Sequence, residues 1–350
     1  MFTPFNNWII FPNDKHKFNY FAGDHVLGPE ELKKNCFGYI KYPKALNESW
    51  DSNFFSIQDK GCFASDFFLS YDTKTVVGNF KFPEKKKYIE SIEKIIEHIK
   101  LGDIYEMNFC FQIKAETSSF NPFDIFFRLH KITAAPHSCL AKFGSTYILC
   151  SSPERFLKRE GDKIITQPIK GTARRGSSLL EDEELKKELM NSHKEKSEHV
   201  MAVDVSRNDL SRIASRGTVA VDELFGVYTF KQVHQMISTV SCKQVENISF
   251  DEIINATFPM ASMTGAPKIR AMQLINEFEN SQRDFYSGSI GKIEENGDFD
   301  FNVVIRSIIY DSETKEVSIG VGSAITNLSN PEKEWEECMV KLKGLMAVLE

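Results

Sequence analysis

The sequence predicts an α+β fold built on antiparallel sheets. Strand-like and helix-like runs come in groups and do not alternate strictly, the pattern of antiparallel sheets rather than of βαβ units. With 350 residues, 41% of them hydrophobic, the chain can bury a large core as one big domain or two ordinary ones. No internal repeat and no low-complexity linker divides it.

Residues 1 to about 80 are rich in aromatic and turn residues, among them Trp8, Tyr20, Tyr39, Trp50, Phe54, Phe55, Phe67 and Phe68, and read as short strands and loops. After Pro83, Ile89, Ile92, Ile95, Ile96 and Ile99 share one face of an amphipathic helix that Gly102 stops. Tyr105 to Lys114 reads as a strand. Asn121-Pro122 joins a cap residue to a first-turn proline and opens a helix to about Thr133. Strands follow at 140–143, 147–151, 155–158 and 163–166. Helices are expected at about 179–191, 194–214, 250–257, 266–280 and 332–349, with strands near 218–230, 236–244, 286–294, 299–310 and 316–321.

A net charge of −6 and a pI near 5.9 argue against nucleic acid or an anionic membrane as partner, because both select for clustered Lys and Arg. The Lys85-Lys86-Lys87 run reads as the solvated start of a helix. Met1 to Pro12 lacks a basic n-region and is broken by Pro4 and Pro12, so no signal peptide is expected, and no run is long enough to span a bilayer. Seven cysteines without a Cys-x-x-Cys pair suit a reduced compartment, and the expected location is the cytoplasm.

Three features carry chemistry. Pro168-Ile169-Lys170-Gly171-Thr172 sets a lysine in a tight, otherwise uncharged turn between a strand-like run and a helix. Lys170 is either a nucleophile, which at neutral pH requires desolvation or a nearby cation, or the simple partner of an acidic group. Glu154, in Ser152-Pro153-Glu154-Arg155-Phe156, is either a buried general acid or the ion-pair partner of Arg155. Glu195 and Glu198, and again Glu334 and Glu337, fall at i,i+3 on helices. They are either solvated surface carboxylates or two oxygen-rich pairs that meet around a hard divalent ion.

Taken in order with Thr264-Gly265-Ala266-Pro267-Lys268, the Ser152 and Pro168 motifs resemble those of the chorismate-utilising enzymes, over roughly residues 83 to 350. The resemblance implies two large antiparallel sheets packed together with flanking helices. It makes 83–350 the catalytic domain and 1–82 a short N-terminal region contributing strands to the same fold. It also implies Mg²⁺ held by Glu198 and Glu337, with Glu195 and Glu334 as water-mediated or outer ligands. Glu154 becomes the general acid at the 4-hydroxyl of chorismate. Lys170 marks the branch that aminates C4, since the anthranilate-forming branch carries Ala there. Substrate contacts are implied for Gly171, Thr172, Thr264, Lys268, Tyr286, Arg306, Gly322, Ser323 and Ala324. The activity so implied is conversion of chorismate and ammonia to 4-amino-4-deoxychorismate, for p-aminobenzoate and folate synthesis. Ammonia is expected from a separate glutamine amidotransferase subunit, because the chain lacks a Gly-x-Cys-x-Gly nucleophile turn.

Three positions depart from the family pattern. Ala324 stands where many relatives have Gly in the carboxylate-binding turn. Gln235 stands where they have a histidine, with His234 displaced by one residue and so turned to the other face of its strand. Glu106 stands where the water-activating lysine of isochorismate and salicylate synthases would be, which argues against water as nucleophile. The Asp204, Arg207, Asn208 and Asp209 cluster reads as structural ion pairing and helix termination. Two other functions are weighed: an anthranilate-forming enzyme, disfavoured by Lys170 and by the missing Leu-Leu-Glu-Ser motif, and a non-catalytic chorismate- or anion-binding protein. A binder needs neither the acid Glu154 nor the amine Lys170.

Overall fold

Side-chain alternation along the strands decides which way each sheet faces. In the computed structural model, which describes residues 5–13, 17–27, 32, 35–44, 51–64 and 74–350, Ile9 enters one buried cluster while its neighbours Trp8 and Ile10 enter another. Cys139, Ala141 and Phe143 likewise share the first cluster, and Leu140 between them joins the second. Trp50, Phe67 and Phe68 lie outside the described residues.

The first sheet has ten strands. Its path runs Gly265–Ala266, Glu106–Ser119, Glu316–Ile325, Ser307–Asp311, Thr146–Ser152, His137–Phe143, Asn7–Pro12, Lys17–Ala22, Asp59–Ala64, with Val76–Val77 beside Glu106–Ser119. The second has nine: Ile169–Arg174, Val233–Lys243, Lys163–Gln167, Arg155–Glu160, Phe299–Asn302, Ser289–Ile293, Cys36–Ile40, Ser52–Ser56, with Ala220–Thr229 on the far edge of Val233–Lys243. Every pairing is antiparallel, and the N-terminal strands belong to both sheets. Ile9, Cys139, Phe143 and Ile148 of the first sheet meet Phe37, Tyr39, Phe55 and Ile290 of the second in a shared cluster, so the sheets pack face to face.

Helices cover the outer faces. Lys85–Lys100, Pro122–Thr133, Lys268–Phe278 and Pro331–Met346 pack on the first sheet, His193–Ser211 and Phe250–Thr257 on the second. Their ends follow the sequence signals: Asn121 accepts from the Asp124 N–H, Pro122 fills the first turn, and Gly102 takes φ +84° after the Lys85–Lys100 helix. No helix of the described residues is long and apolar enough to cross a membrane.

Two expectations change. The single strand expected at 299–310 is two, Phe299–Asn302 in the second sheet and Ser307–Asp311 in the first, joined where the chain crosses between sheets. The turn expected at 168–172 is instead the strand Ile169–Arg174. Pro168, which has no N–H to donate, separates it from Lys163–Gln167, and both pair with the same edge of Val233–Lys243. Gly171, at φ +85°, makes the bulge that shifts the register between Ile169 and Thr172.

Candidate active site

The chain passes from the first sheet to the second at Pro153-Glu154 and back again at 303–306, and the two crossings lie side by side. The Val303 N–H donates to the Glu154 carbonyl at 3.1 Å, and the Ser151 N–H donates to the Arg306 carbonyl at 3.2 Å. Arg306 sits at the crossing with φ +52°, a conformation that a non-glycine residue holds only when its surroundings impose it. Glu154 and Arg306 therefore both face the seam between the sheets, where a cavity of about 580 Å³ opens.

Lys170, Gly171 and Thr172 form one wall of this cavity and Gly320 to Ala324 another. The second wall is the part of Glu316–Ile325 beyond Ile319, where pairing with Ser307–Asp311 has ended and only Glu106–Ser119 remains as neighbour. One backbone edge there has no strand neighbour among the described residues, so its N–H groups can serve a ligand. Gly320 lies against the ring of Tyr286, and a Cβ would come within 2.3 Å of it. Glu195 and Glu198 reach the cavity from His193–Ser211, and Glu334 and Glu337 from Pro331–Met346. Both pairs expected from their spacing thus face one space.

Thr264 and Lys268 are placed elsewhere. Neither lines the cavity: the Thr264 hydroxyl donates to the Met260 carbonyl at 3.1 Å, and the buried Lys268 ammonium pairs with Asp209 at 2.6 Å and with the carbonyls of Thr257 and Pro259. A lysine satisfied by three buried oxygens has no donor left to aim at a substrate. Asp209 does belong to a structural ion pair, and Asp204 pairs with Arg207 at 2.9 Å on the same helix.

The electrostatics separate the two carboxyls from the lysine. Burial pushes the Glu154 carboxyl up to about 7, against the opposing pull of Ser262 and Lys170. Glu154 is not the partner of Arg155, which instead grips Asp300 at 2.8 and 3.0 Å. Burial also pushes Glu198 up to about 7, with Lys170 and Lys194 opposing and Glu195 and Glu106 adding to the rise. Lys170 lies against an acidic group. Burial does pull it down, but the charge and hydrogen bond of Glu106, and then Glu198 and Glu154, outweigh burial and raise it. Lys170 and Glu106 form a buried ion pair, their side chains 11% and 5% exposed.

His199 holds the lysine's backbone. Its Nδ1 lies 3.2 Å from the Lys170 carbonyl and its Nε2 2.7 Å from Ser238 Oγ, which itself accepts the Phe225 N–H at 3.0 Å. A carbonyl can only accept, so Nδ1 carries the proton and Nε2 accepts from the serine hydroxyl. Burial holds this imidazole down to about 4, and it is neutral.

Gln235 lines the cavity with its Oε1 buried and without a hydrogen-bond partner among the described residues, while His234 faces away, 3.0 Å from Asp182. Asn108, Lys194 and Lys341 also line the cavity and were missed in the sequence. The two lysines could have been found by spacing, since Lys194 lies four residues before Glu198 and Lys341 four after Glu337. Lys341 pairs with Glu337 at 2.5 Å and donates to the Gly322 carbonyl at 2.8 Å. Together the cavity holds an acid protonated near neutrality, a buried amine, cations suited to carboxylates and a bank of hard oxygen donors.

That combination lies in the seam between two large antiparallel sheets. The chain belongs to the chorismate binding enzyme family, whose model matches residues 13–347. It is 39% identical over 269 residues to the probable chloroplastic aminodeoxychorismate synthase of Oryza sativa, covering 76% of this chain and 30% of that protein's length. It is 35% identical to anthranilate synthase component 1 of Acetivibrio thermocellus, over 100% of this chain and 68% of that one. Among solved structures, the menaquinone-specific isochorismate synthase of Escherichia coli superposes with a TM-score of 0.83 at 17% identity, covering 98% of this chain and 88% of that one. At that identity it shows the shared fold.

Proposed function

We propose that this chain aminates chorismate at C4, giving 4-amino-4-deoxychorismate, the reaction of an aminodeoxychorismate synthase component I. The observation that carries this reading is Lys170 in the cavity wall beside Glu154, an amine and a protonated acid within one enclosed space. Glu154 gives its proton to the departing 4-hydroxyl, which leaves as water, while the Lys170 amine adds at C2. Ammonia then adds at C4, and the lysine leaves. Dividing one difficult displacement into two steps is what nucleophilic catalysis accomplishes.

Glu198 and Glu337 are the residues that would hold Mg²⁺, with Glu195 and Glu334 behind them. Their fit rests on the donor set: carboxylate oxygens from two helices that face one cavity, one of them the half-buried Glu198, whose pKa burial raises despite Lys170 and Lys194 nearby. No group of three or more His, Cys, Asp or Glu side chains among the described residues closes round an ion. Two protein carboxylates with substrate and water completing the shell is the habit of Mg²⁺. When bound, the metal would supply a fixed positive charge for the substrate carboxylate. Arg306, whose guanidinium makes no ion pair within the described residues, and Lys341 hold the second carboxylate.

The similarity to anthranilate synthase component 1, over the whole of this chain and 68% of that one, supports a second reading, amination at C2. Incubation with chorismate, Mg²⁺ and ammonium, followed by identification of the product, decides between them. Formation of 4-amino-4-deoxychorismate is expected, and anthranilate would overturn it.

A further inference from the structure

A lysine that is to attack carbon must first lose its proton, and the surroundings of Lys170 offer few places for it. The side chain is almost wholly enclosed, so bulk water cannot take the proton freely. Four titratable groups face the residue. Glu154 already serves to deliver a proton, and a group cannot both hold one for the leaving hydroxyl and accept one from the nucleophile. His199 meets only the backbone carbonyl, and with Nδ1 protonated and Nε2 occupied by Ser238 it has no site open toward Nζ. Glu198 belongs to the carboxylates assigned to the metal. Glu106 remains, from the Glu106–Ser119 strand of the opposite sheet, with its carboxylate directly on Nζ. It is buried and absent from the cavity lining, so substrate does not compete for it.

We propose that Glu106 is the base that takes the Lys170 proton as the lysine attacks, and returns it as the lysine leaves. This rests on the amination reading above. In the forward step the Nζ–H bond breaks and the proton passes to a Glu106 oxygen. The freed nitrogen pair bonds to C2, the two ring double bonds each shift by one position, and the C4–O bond breaks toward the Glu154 proton to release water. In the second step ammonia bonds to C4, both double bonds shift back, and the C2–N bond breaks. Glu106 reprotonates the departing amine. The two buried carboxyls thereby hold complementary roles: one starts the cycle protonated and the other starts it ionised.

The test is adduct formation without ammonia. Wild-type protein incubated with chorismate and Mg²⁺ should gain the mass of chorismate less water on Lys170, and with ammonium should release product. Glu106→Gln keeps an acceptor for the lysine N–H but cannot take a proton, and should form the adduct 10²-fold or more slowly, the order general-base removal produces. Glu106→Ala opens room for a small carboxylate, and added formate should restore adduct formation in proportion to its concentration. Adduct formation by Glu106→Gln at the wild-type rate would overturn the proposal. So would a folded Glu106→Ala that formate does not rescue. If the wild type itself forms neither adduct nor amine, the amination reading fails instead, which the wild-type control makes plain.

Discussion

Lys170 rests as a buried ammonium, and in the proposed amination it must lose that charge as it attacks. Lys170→Ala should preserve the fold and cut 4-amino-4-deoxychorismate formation by on the order of 10² or more. Turnover with ammonium that stayed unchanged would remove the lysine from the mechanism. Glu154 carries a stability consequence of its own. Its folded pKa of about 7 lies above the ordinary 4.5, so the folded state prefers the protonated form. Its contribution is fully present below pH 4.5 and is lost as pH rises through 7, where the ionised buried carboxyl costs about 3 kcal/mol. Glu154→Gln should therefore raise the melting temperature at pH 8 and change it little at pH 4.5, and an equal shift at both would contradict the burial argument. Glu198→Gln or Glu337→Gln should weaken Mg²⁺ binding in calorimetric titration. Glu181→Gln, whose carboxylate is occupied by Ser177 and Arg174 and does not line the cavity, should not. Equal behaviour of all three would dissolve the metal assignment.

At the scale of single elements, the bulge at Gly171 aims the lysine. An alanine there would have to hold φ +85° and bring its Cβ within 3.1 Å of Glu195 and 3.2 Å of Leu189. Gly171→Ala should cost roughly 1 kcal/mol of stability and a larger share of activity, since straightening the bulge turns Lys170 away from Glu106. Melting and turnover measured together separate the two effects, and a stable, fully active variant would show that the bulge does not position the lysine. This strand was the element least legible in the sequence. Pro168 and Gly171 are turn residues by composition, and only pairing to Val233–Lys243, some 60 residues further on, makes the segment a strand. The helix from Asn121 was legible because cap, proline and apolar spacing are all local. The division of 299–310 was hidden for the opposite reason, since both halves carry strand-favouring aromatic or β-branched residues and the sheet each one joins is decided far away. Site residues followed the same rule. The i,i+3 glutamates could be read from one helix, but the Glu106–Lys170 pair joins residues of opposite sheets.

For the whole molecule, the two sheets are as much the site's frame as its core. Nothing in the chain resembles a glutaminase nucleophile turn, and free ammonia is the minor form near neutrality. The protein alone should therefore turn over faster with ammonium salts as pH rises, gain nothing from glutamine, and acquire glutamine dependence when a glutamine amidotransferase is added. Glutamine-driven turnover by the single chain would contradict this. The order in which the frame is synthesised has its own effect. Ile10 pairs with Leu140, so the first hairpin must wait for a strand made much later, and such long-range closure is slow. The crossing at Glu154 is made next and the strand of Lys170 soon after, but Arg306 comes well behind them, followed by the helix that brings Glu334, Glu337 and Lys341. A growing chain on the ribosome thus acquires Glu154 and Lys170 long before Arg306 and Lys341. The Lys170–Glu106 pair waits with them, because the strand of Glu106 is held in its sheet by 265–266 and 316–325, so the amine and its partner meet only when the frame is nearly complete.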